Sequence, residues 1–202
     1  MKTKLFNRTI KAIPAIIASI IFLATPQLKA QTIYRLSPGK DVAIKVLGSS
    51  NVHDWTMTST KMESQGDFKF DGEQLQGLSG LSFSVDAKSL KSEHSGMDDR
   101  TYKAIKADQY PKITYKLSSA VISTIQKNKY LIKTKGELTI TGVPQLISMD
   151  VTAVVNPDNS ITCTGAEKIK LTDFKIQPPS FMLGAMKVAN DLTIQYTLNY
   201  KK

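Results

Sequence analysis

The chain has 202 residues, of which 41% are hydrophobic and 22% charged, and its formal net charge is +10. This length and composition suit one domain with a sizeable core. The single cysteine, Cys163, excludes an internal disulfide framework and is expected to be a small buried side chain. The lysines are spread along the sequence rather than clustered with aromatic residues. This pattern does not indicate a nucleic-acid partner, but it is compatible with weak attraction to anionic lipid headgroups.

The first thirty residues are typical of a secretory signal peptide. Four basic residues fall within the first eleven positions, an apolar stretch covers residues 12–25, and Ala30 offers a small residue at a cleavage point. The apolar stretch is shorter than the roughly 20 residues that a membrane-spanning helix needs. We therefore predict a signal peptide at 1–30 and one domain at 31–202. A retained membrane anchor is the alternative.

The remainder of the sequence is dominated by predicted strands. Alternation of apolar and polar residues predicts them, in chain order, at 31–36, 42–46, 56–63, 66–70, 78–90, 113–125, 130–140, 146–155, 161–174 and 192–200. Short turns such as Asp71-Gly72 join most of them, which is typical of antiparallel neighbours. Long antiparallel strands with little helix form either a sandwich or a closed barrel. Strands of about ten residues favour an all-β antiparallel barrel of about eight strands.

One short helix is predicted between the strands at 78–90 and 113–125. Ser95 and Asp98 have the spacing of a capping box at its start, and Pro111 returns the chain to an extended conformation. The residues that fall on its apolar face are Met97, Thr101, Ala104 and Ile105. A single helix inserted into a barrel is expected to lie over one side or one end of it.

The strands carry a surplus of large apolar side chains at positions that face the barrel interior. These candidate cavity-lining residues are Phe83, Val85, Ile113, Tyr115, Leu117, Ile132, Leu138, Met149, Val151, Ile194, Tyr196 and Leu198. They could surround an apolar ligand, or they could simply pack against one another and fill the barrel. The loop that contains Phe181, Met182 and Leu183, with Met186, is expected to be either a soft lid at the cavity mouth or a buried plug.

The two histidines of the chain do not form a recognisable catalytic or metal-binding pattern. His53 is followed by Asp54 and Trp55, and His94 precedes Asp98, but no G-x-S-x-G nucleophile motif is present. We expect His53 to make structural hydrogen bonds or to contact a ligand headgroup. We expect no metal, no cofactor and no enzymatic activity, although an enzyme that acts on a lipid is an alternative.

Five segments together resemble the motifs of a known family. Residues 48–55 contain S-x-x-H-x-W, the longest pattern spans 83–115, and residues 136–143 read G-E-L-T-I-T-G-V. Residues 173–176 and 188–194 follow in the same order, with Lys175 and Ala189 in segments where the family often has glycine. In this order the five segments resemble the YceI-like, polyisoprenoid-binding family. The resemblance extends over nearly the whole of residues 31–202.

The resemblance implies a lipocalin-like barrel that is exported to the periplasm or beyond. It also implies that the barrel encloses a long-chain amphiphile, either a polyisoprenoid or a fatty-acid derivative, without covalent attachment. We therefore expect a lipid-binding protein that acts as a monomer or homodimer and makes at most transient contact with membranes. The remaining alternative is a structural envelope protein with a filled core.

Overall fold

The computed structural model describes residues 32–202, so the predicted signal peptide lies outside the described residues. Twelve strands and one α-helix occupy this part of the chain. The strands are Ile33–Leu36 (β1), Ala43–Ser49 (β2), Asp54–Ser59 (β3), Met62–Asp71 (β4), Gln74–Asp86 (β5), Lys112–Gln126 (β6), Lys129–Ile140 (β7), Val143–Val155 (β8), Ile161–Lys170 (β9), Ser180–Phe181 (β10), Met186–Lys187 (β11) and Asp191–Lys201 (β12). The helix is Ser95–Ala104 (α1).

Eight of the strands close into an antiparallel barrel. The order around it is β1, β4, β5, β6, β7, β8, β9 and β12, and β12 pairs again with β1 through Arg35 and Lys201. The expected all-β barrel of about eight strands with one inserted helix is therefore confirmed. The β2–β3 hairpin adds to this ring because β2 pairs with the first half of β12, from Thr193 to Thr197.

The period-two pattern correctly predicts which side chains face inward along β7, but not along β6 beyond the register shift between Leu117 and Ser119, where Val121 and Ile125 are exposed. On β7 the alternate residues from Tyr130 to Ile140 are all buried, including Thr134 and Gly136. Cys163 is only 5% exposed, as expected for a small buried side chain. Because every second residue of a barrel strand points inward, this single pattern fills two adjoining hydrophobic clusters, one in each half of the barrel.

The helix begins differently from the prediction. Ser95 is its first residue rather than its cap, His94 holds the cap position, and no side chain caps the helix. The carboxylate of Asp98 instead accepts hydrogen bonds from the amide and hydroxyl of Ser92, at 2.7 and 2.8 Å. The capping-box expectation was therefore wrong, because Asp98 is used to hold the segment that precedes the helix.

Two predicted strands also have different bounds. The stretch predicted as one strand at 56–63 is divided, because β3 ends at Ser59 and β4 begins at Met62. The strand predicted at 161–174 ends at Lys170 and continues as a 3₁₀ turn, Leu171–Phe174. Lys175 ends that turn with φ of 58°, in the left-handed region that favours glycine.

Within residues 32–202, no helix combines the length and apolar character required to cross a bilayer.

Candidate functional site

The main internal space of the described chain lies at the end of the barrel next to α1. It has a volume of about 390 Å³ and a predominantly apolar wall. The lining side chains come from β2, β3, β5, β6, β7, β9, β12, the helix and the segment that follows Leu171. They are Ile44, Val46, Ser50, His53, Trp55, Met57, Val85, Leu90, His94, Met97, Arg100, Thr101, Ala104, Ile105, Ile113, Ile140, Ile169, Leu171, Phe174, Ile176, Pro179, Phe181, Met186, Val188, Leu192 and Ile194, with Gly96.

The strand arrangement explains why this end of the barrel is wide. Here β12 is flanked by the β2–β3 hairpin, whereas at the opposite end it is flanked directly by β1. Thr58 of β3 exchanges two backbone hydrogen bonds with Lys91, at 2.8 and 2.9 Å, which joins the hairpin to the chain that follows β5. The hairpin thus adds to the wall at the helix end, and a longer circumference encloses a larger interior.

The other half of the barrel is almost filled by its own side chains. Only about 60 Å³ of free space remains there. The ring of Phe68 lies 5.4 Å from those of both Tyr34 and Tyr200, and all three side chains are almost completely buried. The Tyr200 hydroxyl lies 2.8 Å from the hydroxyl of Ser64. This end therefore forms a packed core.

A layer of side chains separates the two spaces, and we call it the waist. Four of its residues pack against both hydrophobic clusters: Leu81, Phe83, Leu117 and Met149. The fifth, Tyr115, is buried in the cluster of the helix end and also lines the smaller space. No residue lines both spaces among those described. None of the five waist residues lines the larger cavity, so the waist lies behind its wall and separates it from the small space.

Two glycines leave room for tyrosine rings near the waist. A Cβ on Gly136 would lie 2.4 Å from the Tyr115 hydroxyl, and one on Gly165 would lie 2.2 Å from the Tyr196 hydroxyl. Neither hydroxyl has a hydrogen-bond partner among the described residues. Burial raises the pKa of both phenols, so both stay protonated at neutral pH.

The polar groups of the large cavity are grouped near its mouth, where the wall includes exposed residues. They include His53, His94 and Arg100, and no aspartate or glutamate of the described chain lines this cavity. The Arg100 guanidinium lies 4.8 Å from the centre of the Phe181 ring, a cation–π contact that joins the helix to the β10–β11 loop. His53 donates from Nδ1 to the carbonyl of Asp54 at 2.9 Å. Deeper in the wall, the buried Nε1 of Trp55 has no acceptor among the described residues.

The loop between β10 and β11 and the β2–β3 turn form a joint rim. Asn51 donates to the carbonyl of Ala185 at 2.8 Å and accepts from the amide of Lys187 at 2.8 Å. Phe181 and Met186 face the cavity, whereas Met182 is 76% exposed and Leu183 is fully exposed. The loop therefore combines an inward part that covers the cavity with an apolar tip that points to solvent.

The helix is held over the cavity by a cluster around Asp98. Burial alone would raise the pKa of this carboxyl, but hydrogen bonds from Ser92 and the ion pair with Lys91 lower it below its usual 3.8. Lys91 Nζ lies 3.3 Å from Asp98 Oδ2, and the Tyr102 hydroxyl donates to the carbonyl of Leu90 at 2.7 Å. Asp98 thus anchors α1 through Ser92 and Lys91.

The predicted site residues fall into three groups. Those that line the large cavity are Val85, Ile113, Phe181, Ile194 and His53. Those that line the small space in the filled half are Tyr115, Leu117, Ile132, Met149, Val151, Tyr196 and Leu198. The remaining three line neither space: Phe83 belongs to the waist, Leu138 is buried in the cluster of the helix end, and Met182 is exposed at the loop tip.

Sequence reasoning missed much of the helix-side wall. All four residues of the predicted apolar helical face line the cavity, although the sequence pattern does not assign them to the site: Met97, Thr101, Ala104 and Ile105. That apolar face was the available signal, because a short helix with an apolar stripe must cover something apolar. Arg100 gave no such signal, since its position depends on how the helix is rotated over the barrel.

Comparison with known proteins agrees with this architecture. The YceI-like domain family matches residues 39–200. No curated protein matches the sequence. The chain is similar in structure to Burkholderia cenocepacia BcnA, with a TM-score of 0.59 and 23% identity over 77% of this chain and 95% of that protein.

Two further solved structures share the fold. A polyisoprenoid binding domain from Saccharophagus degradans, implicated in plant cell wall breakdown, has a TM-score of 0.63 with 13% identity, and the match covers 83% of this chain and 97% of that domain. The Campylobacter jejuni YCEI protein has a TM-score of 0.50 with 21% identity, over 69% of this chain and 81% of that one. At these identities the likeness establishes the fold.

Proposed function

Because this chain belongs to the YceI-like family, we propose that it is an exported lipid-binding protein that holds a long-chain amphiphile in the cavity beneath α1. The observation that carries the proposal is a cavity of about 390 Å³ with a predominantly apolar wall and its polar groups near the mouth. Preformed apolar pockets with a few polar groups are typical of small-molecule sites. One solved relative is described as a polyisoprenoid binding domain, which supports a lipid as the ligand.

The hydrophobic effect is large enough for this role. Burial of one methylene contributes about 0.8 kcal/mol, so ten of them contribute roughly 8 kcal/mol before the costs of association. Micromolar affinity requires about 8 kcal/mol net of those costs, so a ligand must bury more than ten methylenes to reach it, and short apolar molecules bury too few. We propose that the protein carries the lipid rather than catalyses a reaction on it, because the titratable side chains of the lining are two exposed histidines. The helix carboxylate near His94, that of Asp98, is already bonded to Ser92 and Lys91.

Export and membrane contact are parts of the same proposal. The residue pattern of 1–30 supports secretion to the periplasm or beyond. Beside the cavity mouth, the apolar tips of two loops, Val52 at 60% exposed and Met182 with Leu183, are tied together through Asn51. An exposed apolar tip beside a lipid cavity suits brief insertion into a bilayer surface during loading and release.

The proposal can be tested with the apolar dye N-phenyl-1-naphthylamine, whose fluorescence rises in apolar surroundings. Ala104 lines the cavity, so Ala104→Phe should place a ring inside it and weaken dye uptake at least about tenfold, the loss expected from about 1.4 kcal/mol. Lys103→Phe is the matched control, because Lys103 is exposed on the same helix. Equal dye uptake by both variants and the unmodified protein would contradict the proposal.

A further inference from the structure

We propose that the ligand is a single apolar chain of roughly sixteen carbons that ends in an anionic group, with the chain lying above the waist and the anion at Arg100. This inference rests on the proposed function that the cavity holds a lipid, and it names the class of that lipid. Two independent features support it: the depth of the cavity limits the chain, and the charge of its mouth selects the head.

The limit on chain length follows from the cavity volume and from the layer of side chains that separates the cavity from the other half of the barrel. Leu81, Phe83, Tyr115, Leu117 and Met149 fill the waist, and only about 60 Å³ of space lies beyond them. A cavity of about 150 Å³ holds one benzene, which is roughly six carbons. At the same filling, the 390 Å³ above the waist holds roughly sixteen carbons, by that benzene scale. A polyisoprenoid of several times this length would have to displace the waist.

The preference for an anion follows from the side chains at the mouth. Arg100 keeps its charge at every physiological pH, and its guanidinium is held against Phe181 at 4.8 Å. His53 and His94 line the same cavity. Asp54, Glu93 and Asp99 are close in sequence and exposed, but none of them lines the cavity, and Asp98 is paired with Lys91.

The mouth supplies a hydrogen-bond donor to such a head. An oxygen-rich head, such as a carboxylate or a phosphate, would accept hydrogen bonds from Arg100, whose guanidinium can only donate. An amine head would find no carboxylate in the described wall of this cavity.

Trp55 offers the readout, since it is the single tryptophan of the sequence and lines the cavity. Its fluorescence can be titrated with hexadecanoic acid, hexadecyl phosphate and the neutral hexadecanol, which share one chain length. We expect the better of the two anions to bind about two- to fivefold more tightly than the alcohol, the factor given by one exposed ion pair. Whichever anion binds more tightly identifies the head.

Arg100→Gln should remove this preference and leave alcohol binding unchanged. Arg35→Gln is the matched control, because Arg35 is exposed on β1 and lines neither space. Equal affinities for the anions and the alcohol, unaffected by Arg100→Gln, would overturn the choice of head.

Chain length is tested by comparing hexadecanoic with tetracosanoic acid. The unmodified protein should prefer the shorter acid, whereas Met149→Ala, which thins the waist, should improve the relative affinity for the longer acid about fourfold, a factor that roughly one further buried methylene supplies. Ile147→Ala, on the same strand but packed only against the cluster of the helix end, should leave the ratio unchanged. Tighter binding of the longer acid by the unmodified protein would overturn the inferred depth. If no lipid and no dye bound at all, the proposed function itself would fail.

Discussion

Gly136 is a residue near the waist at which an added side chain would meet the backbone as well as a tyrosine ring. A Cβ there would lie 2.4 Å from the Tyr115 hydroxyl and 2.6 Å from the backbone oxygen of Lys116. Because the backbone cannot yield as a flexible side chain does, we expect Gly136→Ala to lower the free energy of unfolding by about 1–3 kcal/mol.

Urea unfolding measures this effect, and Gly80→Ala provides the control, since no atom lies within 4 Å of a Cβ on Gly80. That control should be neutral or slightly stabilising, by up to about 1 kcal/mol. If Gly136→Ala were as stable as Gly80→Ala, the packing of Tyr115 on Gly136 would not be as the structure places it.

The inward residues Ile132 and Ile194 show what the alternation of apolar residues cannot predict. Alternation marks Ile132 and Ile194 equally as inward residues, and both do face inward. Ile194 lines the large cavity and lies where β12 pairs with β2, at Val46, whereas Ile132 lines the small space and pairs with Ile122 of β6. Whether an inward residue lies in the hollow or the filled half depends on the register between strands that are distant in sequence. The alternation of apolar and polar residues gives no information about that register.

At the scale of elements, the placement of α1 depends on Asp98. Asp98→Asn would keep the shape of the side chain but remove the charge that Ser92 and Lys91 stabilise. We expect a loss of about 1–3 kcal/mol, as for a buried hydrogen bond to a charged group. The exposed neighbour offers the control variant, Asp99→Asn, which should change stability by less than about 0.5 kcal/mol.

The same carboxylate gives a pH dependence. Its pKa is lowered in the folded protein, so its contribution is complete above the usual value of 3.8 and is lost as the pH falls from there towards the lowered folded pKa. The stability difference between the unmodified protein and Asp98→Asn should therefore shrink below pH 3.8. A difference that stayed constant through this range would show that the charge is not what holds the helix.

The β10–β11 loop has its own test as an element. Replacing Met182 and Leu183 together by serine should weaken binding to vesicles of phosphatidylcholine and phosphatidylglycerol about tenfold, because the inserted apolar area is lost. Vesicle co-sedimentation measures this. Val121→Ser with Ile125→Ser removes exposed apolar residues of β6 and should have little effect. Equal losses for both pairs would show that the loop tip has no special role.

The elements were predicted better than their ends. The helix, its apolar face and the alternating strands can be predicted from the local periodicity of apolar residues in the sequence. The cap at His94, the break between Ser59 and Met62, and the 3₁₀ turn after Lys170 depend on contacts with distant segments, such as Thr58 with Lys91 and Leu171 with Asn190. Such contacts cannot be inferred from neighbouring residues alone.

At the scale of the whole molecule, the barrel is divided into a filled half and a hollow half. The filled half supplies the packed core that a chain without disulfides requires, with Tyr34, Phe68 and Tyr200 at its centre. The hollow half exists because the β2–β3 hairpin widens the wall and α1 covers the end. The closed barrel could be predicted from the strands, but the division could not, because it arises from how the hairpin joins β12.

The central claim is that the hollow half is occupied by one lipid molecule. Native mass spectrometry of the full chain, purified without detergent from its own host, tests this directly, with organic extraction of any bound species. We predict one long-chain adduct per protein chain, lost on denaturation and absent from Ala104→Phe. A bare protein mass, with no adduct formed after incubation with long-chain acids or isoprenoids, would contradict the account.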